Sequence, residues 1–248
     1  MTTKNRKVIR LDAVESTNDY LGGYVQDEAQ ADGLTVVVAD YQSAGRGSGT
    51  NKWESERGRN LLFSVLVRPS SLHAGQVYSI SEVSALALLR TLAEYSDGFS
   101  IKWPNDIYWR DGKIAGMLIE NDLSGKFVSR SVVGIGLNVN QTEFLSDAPN
   151  PVSLAQILGR DTDRDRVLDT FLSHLESLLA MMEAGEYATI HSLYMERLYR
   201  RVGMFGYEDA DGAFEAEIED VEPSGRLVLR LADGTRRRYD FKEVKFRI

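Results

Sequence analysis

Three glycines fall within five positions at Gly45, Gly47 and Gly49, inside a segment that runs from Tyr41 to Trp53 and also carries Arg46 and Lys52. Glycines let backbone N–H groups approach an anion, neighbouring cations neutralise it, and an indole offers a flat face to a base. A phosphate cradle is one reading and a flexible surface loop is the other. A Walker loop is excluded, because no Gly-Lys-Ser/Thr closes the segment. Downstream, Lys102-Trp103-Pro104-Asn105-Asp106 sets a cation beside an aromatic-proline corner and a paired amide and carboxylate. Proline fixes its own φ and keeps the preceding tryptophan out of the helical region, so Asn105 and Asp106 are aimed in a defined direction. A strand-ending turn capped by asparagine would use the same residues. In Gly112-Lys113-Ile114-Ala115-Gly116, the first part of a largely apolar run to Glu120, Lys113 either snorkels to solvent or serves an anion. Last, Val132 to Val139 holds Gly134 and Gly136, where something must lie close to the backbone, and Asn138, which could read a base or a ribose. On its own, that Gly-x-Gly is a weak signal.

The elements that must position these residues follow from hydrophobic periodicity. Thr35 to Ala39 reads as a strand buried on both faces that feeds directly into the glycine loop, and Leu61 to Val67 as a second strand. Between Val77 and Glu94, apolar residues at three- and four-residue steps predict a core-packing helix. Ile107 to Trp109 and Ile114 to Ile119 predict a hairpin across Asp111-Gly112, a dipeptide that tolerates positive φ. A strand from Phe127 to Val139 and helices over Arg164 to Ala184 and Glu186 to Arg201 follow, with Gly185 ending the first helix. After Gly203 alternation takes over, with turns at Pro223-Ser-Gly and Ala232-Asp-Gly. The expected division is a catalytic domain over residues 1–202 and a small all-β domain over 203–248, closely packed because no low-complexity linker separates them.

Composition narrows the chemistry. With 248 residues and no cysteine, the chain can bury a full core but offers no disulfide, thiolate metal site or cysteine nucleophile, and a reducing, cytoplasmic setting is expected. His73, His174 and His191 lie far apart without metal-ligand spacing. A net charge of −8 disfavours general nucleic-acid binding, so any anion site must be local. Neither a signal-peptide core nor a membrane-length apolar run is visible.

In this order the four segments resemble the biotin–protein ligase family. Glu15-Ser16-Thr17-Asn18 is similar to that family's early biotin-contacting motif, so the likeness covers nearly the whole chain. Its most specific part is Lys102 to Asp106 followed closely by Gly112-Lys113-x-Ala115-Gly116. The fold it implies is α+β: a mixed sheet with flanking helices of the class II synthetase / biotin–lipoate ligase type, plus a small C-terminal SH3-like β-barrel. The activity it implies is formation of biotinyl-5'-AMP from biotin and ATP with Mg²⁺, then transfer of biotin to a lysine of a biotin carboxyl carrier protein or domain of a biotin-dependent carboxylase.

The same resemblance implies roles for residues. Ser16, Thr17, Asn18 and Gln42 hold the ureido end of biotin, and Gly45, Arg46, Gly47, Lys113 and Gly116 complete its contacts. Arg46 and Gly47 close over the adenylate, while Lys113 sits beside the biotin carboxylate and α-phosphate. Arg46, Ser48, Trp53, Asn105, Lys113 and Asn138 form the nucleotide site. Lys113, Arg46 and Asp106 are the catalytic set, Asp106 helping to place Mg²⁺ or to orient Lys113. One departure stands out: the family loop often reads G-R-G-R-x-G, whereas Ser48 and Thr50 stand at the second arginine and last glycine positions. Lys52, Arg57 or Arg59 would then have to replace the missing charge. The Glu15 motif comes too early to leave room for the DNA-binding domain that some members carry, so neither DNA nor a membrane is an expected partner. Arg236-Arg237-Arg238 reads as the exposed side of a hairpin, and a monomer or weak homodimer is expected.

Overall fold

The structure is a computed structural model that describes residues 6–24, 33–47, 49, 52–145 and 150–248. Its centre is a seven-stranded mixed sheet in the order β1-β2-β3-β7-β6-β5-β4. The strands are β1 (Arg6–Leu11), β2 (Leu34–Ala39), β3 (Leu61–Val67), β4 (Phe99–Lys102), β5 (Asp106–Trp109), β6 (Gly112–Ser124) and β7 (Phe127–Leu137). Only β1 and β2 run parallel, and helix α1 (Thr17–Tyr24) makes the crossover that such a pair requires. Every residue of β2 and β3 is buried, because the sheet is covered on both faces at this point. Alternation along the strands sorts their side chains: Val36, Val38, Phe63 and Val65 join the main core, whereas Val37 and Leu66 meet Leu21 of α1 on the opposite face.

Helices α2 (Ser79–Ala93), α4 (Arg164–Glu183) and α5 (Tyr187–Glu196) pack together over the main-core face. Asp163 caps α4 by accepting the backbone N–H groups of Asp165 and Arg166, and the helix turns Val167, Phe171, Leu175, Leu178 and Met182 inward. Gly185, at φ 79°, ends it as the spacing predicts. The last helix is shorter than the predicted Glu186 to Arg201. Residues after Glu196 leave the helix to cover the edge of β4, where the Ile101 N–H donates to Arg197 O and the Tyr199 N–H to Ile101 O, each at 2.8 Å.

Two further differences are local. In the β5–β6 hairpin Trp109 pairs with Gly112, so the loop is Arg110-Asp111 and the left-handed residue is Arg110 at φ 52° rather than the expected glycine. A short helix, α3 (Leu154–Leu158), was not anticipated, although Ser153 and Gln156 form a full capping box ahead of it.

From Phe205 onward a five-stranded antiparallel sheet forms in the order β11-β10-β9-β8-β12. Its strands are β8 (Phe205–Asp209), β9 (Gly212–Val221), β10 (Leu227–Leu231), β11 (Arg236–Tyr239) and β12 (Lys245–Phe246), an arrangement compatible with a small SH3-like barrel. Tyr207, Ile218, Leu227 and Leu229 belong to the same buried cluster as the core of the large sheet. The Trp103 indole N–H donates to Gly225 O at 2.8 Å across the junction. Both sheets therefore wall one space.

Candidate active site

That space is a cleft of about 1060 Å³ lined by the exposed ends of β5, β6 and β7, the glycine loop, the start of α1 and the turn before β12. Among the described residues it collects Ser16, Thr17, Asn18, Gln42, Arg46, Gly47, Trp53, Asn105, Asp106, Lys113, Gly116 and Asn138, which come from five separate stretches of chain. Gly45 does not line it. Instead its carbonyl accepts the Trp53 N–H at 3.0 Å and closes the base of the loop. Ser48 and Thr50 lie outside the described residues.

Lys113 is set by the β5–β6 register, in which Asp106 stands opposite Gly116 and Tyr108 opposite Lys113. A bulge after Ile107 brings the diagonal pair together, and the Lys113 ammonium meets Asp106 Oδ1 at 2.7 Å. Both side chains are partly open to the cleft, so their charges remain available to a ligand. The Trp53 indole lies on Gly136, where any side chain would collide with it, and over Gly116, where a Cβ would stand 3.0 Å from the ring. Gly116 and Gly136 are direct cross-strand partners, and together they make the bare backbone on which the indole rests. The Lys113 ammonium is 5.6 Å from the centre of that ring.

At the other end, the start of α1 carries a hydrogen-bonded chain. Ser64 Oγ lies 2.7 Å from Thr17 Oγ1 and 2.6 Å from Asn18 Oδ1. The Thr17 N–H and hydroxyl both donate to Gln42 Oε1, at 2.7 and 3.0 Å. Asn18 Nδ2 then donates to Glu120 Oε2 at 2.8 Å, and Arg46 Nη2 bridges Glu120 and Asp19. Arg46 thus faces the cleft while already committed to two carboxylates. Ser64 was not singled out from the sequence, although a lone hydroxyl in the all-buried run LLFSVLV is the signal that could have found it.

Asn105 and Asn138 spend part of their hydrogen-bonding capacity on the backbone. Asn105 Nδ2 donates to Met117 O, and Asn138 Nδ2 to Val152 O at 3.1 Å. Asn138 Oδ1 and the Trp53 indole N–H are buried and have no partner among the described residues. A buried polar atom left unsatisfied costs about 1–3 kcal/mol, so one acceptor and one donor are waiting for a ligand's polar groups.

Lys102 sits nearby between the rings of Tyr108 and Phe246, its ammonium 5.0 and 4.9 Å from their centres, and burial pushes its pKa below the ordinary lysine value. Of the three cations proposed to replace a loop charge, Lys52 lines the cleft. Arg57 instead pairs with Asp12, and Arg59 with Asp161. The C-terminal sheet contributes Phe241, Lys242, Val244, Lys245 and Phe246 to the cleft lining, and no residue pattern in the sequence singles out these side chains. No histidine is among the lining residues, and the chain has no cysteine. What the arrangement can do is hold and neutralise an anionic, flat, partly polar ligand.

Comparison with known proteins agrees with this geometry. Residues 11–138 match the biotin/lipoate A/B protein ligase family. The chain is similar to the biotin–[acetyl-CoA-carboxylase] ligase of Paracoccus denitrificans, with 31% identity over 80% of this chain and 85% of that protein. It is also similar to the bifunctional ligase/repressor BirA of Bacillus subtilis, with 28% identity over 83% of this chain. The match spans 64% of that relative's length. Among solved structures, the biotin protein ligase of Aquifex aeolicus in complex with biotin and ATP superposes with a TM-score of 0.78 at 27% identity, covering 97% of this chain and 98% of that one.

Proposed function

Because this chain belongs to the biotin/lipoate A/B protein ligase family, we propose that it activates biotin with ATP and transfers it to a lysine of a biotin carboxyl carrier protein. The observation that carries the reading is the convergence of the four motif segments and the Ser16–Asn18 stretch on one cleft, with the Lys113–Asp106 pair at 2.7 Å inside it. The oxygen of the biotin carboxylate attacks the α-phosphorus of ATP, the bond to the β-phosphate oxygen breaks, and pyrophosphate leaves with that electron pair. Biotinyl-5'-AMP, a mixed anhydride, remains in the cleft. An unprotonated acceptor amine then attacks its carbonyl carbon, the carbon–nitrogen bond forms, and AMP departs as the amine loses a proton. No covalent bond to the protein is needed, which suits a cleft lined by no cysteine or histidine.

Catalysis on this reading is positioning and electrostatics. Lys113 holds the biotin carboxylate and α-phosphate oxygens together and offsets the charge that grows between them. Asp106 orients the Lys113 ammonium. Thr17, Asn18 and Gln42, already linked into one hydrogen-bonded chain with Ser64, hold the ureido group together with Ser16, with Gly47 and Gly116 around the rest of biotin. Trp53, Asn105 and Asn138 face the nucleotide. Arg46 reaches the adenylate by exchanging Asp19 and Glu120 for phosphate oxygens.

No group of three or more metal-binding side chains occurs among the described residues, so Mg²⁺ would arrive with the nucleotide and take at most the Asp106 carboxylate beside phosphate and water oxygens. When bound it would supply further neutralisation of the phosphates.

We place the reaction in the cytoplasm, in keeping with a cysteine-free chain, and among the described residues no helix is long and apolar enough to cross a membrane. DNA is not a proposed partner, for Arg236, Arg237 and Arg238 are each paired, with Glu219, Asp209 and Glu222. A monomer or weak dimer, built as a catalytic domain over 1–202 and a small domain over 203–248, completes the proposal. Biotin-dependent exchange of labelled pyrophosphate into ATP tests it, with lipoate and octanoate run in parallel. Exchange with biotin alone is the expected result; exchange driven by lipoate or octanoate instead would reassign the substrate, and binding of biotin without any exchange would make the protein a biotin sensor.

A further inference from the structure

Strand β3 is buried along its whole length, and Ser64 is the one polar side chain in its run LLFSVLV. A hydroxyl in such a setting costs stability unless it is bonded. Its partners are two side chains of the cleft, Asn18 Oδ1 at 2.6 Å and Thr17 Oγ1 at 2.7 Å. Across the sheet Ser64 pairs with Gly134 of β7, and Gly134 with Leu118 of β6. Any side chain at Gly134 would collide with Asn18 Oδ1, so the carboxamide lies against bare backbone there. Leu118 O and Glu120 Oε2 accept from Asn18 Nδ2, at 3.1 and 2.8 Å. Three neighbouring strands thus build one seat for Asn18.

The seat fixes the polarity that Asn18 shows. A carbonyl and a carboxylate can only accept, so both hydrogens of Asn18 Nδ2 are spent and the amide is held in one orientation. Its Oδ1 can only accept in turn, so the single Ser64 proton goes to it. The Thr17 hydroxyl proton is then shared between Ser64 Oγ and Gln42 Oε1, 2.7 and 3.0 Å away. What Thr17 and Asn18 have left for the cleft is lone pairs alone. Both side chains are buried, at 3% and 5% exposure, so bulk water does little to reset them. Two adjacent acceptors fit a ligand with two neighbouring N–H groups, which a cyclic urea has and a plain acyl chain lacks.

We propose that Ser64 is a positioning residue for substrate selection: from the buried strand it holds Thr17 and Asn18 as hydrogen-bond acceptors, so that this end of the cleft selects acids bearing N–H donors. The proposal rests on the ligase reading above and deepens it. Without the hydroxyl, the ligand itself has to order the Asn18 carboxamide and the Thr17 hydroxyl, and that ordering is subtracted from binding. Gly134 acts from the neighbouring strand by leaving room for the carboxamide.

The test uses Ser64→Ala, Ser64→Cys, which nearly keeps the volume but has only a weak donor, and Gly134→Ala, which pushes on Asn18 from β7. Calorimetry on the full chain measures affinity for biotin, for AMP and for desthiobiotin, which keeps both ureido N–H groups but lacks the sulfur. Exchange kinetics separate KM from kcat. Both Ser64 variants are expected to weaken biotin and desthiobiotin by the same factor, about tenfold, and to raise KM for biotin as much, with Gly134→Ala losing at least that. Affinity for AMP, KM for ATP and kcat at saturating biotin should stay within about twofold in the Ser64 variants. A Ser64→Cys protein that binds biotin as wild type does would mean that the side chain only fills space, and would overturn the proposal. Equal losses for biotin and AMP would overturn it too, as would a loss for biotin that desthiobiotin does not share. Because binding is read without turnover, the two readings fail separately. Ser64-dependent biotin binding in a protein that shows no exchange would remove the ligase reading and keep this one. Normal exchange in wild type with unaltered biotin affinity in the Ser64 variants would do the reverse.

Discussion

A lysine and an aspartate 2.7 Å apart, each partly exposed, add little to folding, since solvent-screened ion pairs contribute about 0–1 kcal/mol. Their worth lies in what they face. Lys113→Ala should therefore fold as wild type by circular dichroism yet lose about 10²–10³ in the rate of biotin-dependent pyrophosphate exchange, the usual scale for removing one electrostatic donor. A wild-type rate would remove Lys113 from the mechanism. The indole of Trp53 gives a second prediction at this scale. A methyl at Gly136 would occupy the ring's position, so Gly136→Ala should expel it, shift tryptophan fluorescence to the red and weaken ATP binding about tenfold or more. Unchanged fluorescence would mean that the ring does not rest there. Residues such as Lys113, Asp106 and Trp53 were legible because each stands in a short motif whose members are neighbours in the chain. The partners of Arg46 were not: Asp19 and Glu120 are 27 and 74 positions from it, and only folding brings them together.

Among the elements, legibility followed length and periodicity. Strand β3 begins and ends where its apolar run does, and α4 differs from its expected span by one residue, because both are buried along most of their length and tolerate few polar intrusions. Helix α1 went unseen: it has eight residues, two of them Gly22 and Gly23, and a single buried leucine, Leu21, so neither propensity nor period marks it. What makes it helical is its position between two parallel strands. For α4 the N-terminal signal is chemical and can be tested. Asp163 accepts two backbone N–H groups, at 2.9 and 3.3 Å, and Asp163→Ala should cost about 1 kcal/mol of stability. For a chain of this size that corresponds to a fall in Tm of about 2–4 °C, measurable by calorimetry, with no change in KM for ATP or biotin. A loss of activity at unchanged Tm would mean that the helix start acts on the cleft rather than on the fold.

At the scale of the whole molecule, the C-terminal sheet forms one wall of the cleft, and one histidine ties that sheet to the helical layer. His191 of α5 donates from Nδ1 to Glu82 of α2 at 2.7 Å and from Nε2 to Asp220 of β9 at 2.9 Å, an arrangement that needs both ring nitrogens protonated. The hydrogen bond to buried Glu82 is the largest cause, opposed by desolvation and helped by Asp220, and the pKa is pushed up to about 9 from an ordinary value of 6.5. Since the folded value lies above the unfolded one, the stabilisation is fully present below pH 6.5 and disappears as pH rises through 9. Partial exposure of the imidazole screens the interaction, so the effect should be about 1 kcal/mol, well below what the full shift would imply. His191→Gln should thus lower Tm by a few degrees at pH 6, and the gap from wild type should close by pH 9.5. A Tm difference between wild type and His191→Gln that does not vary with pH would show that the histidine packs without titrating, and the docking of the two sheets would then owe nothing to its charge.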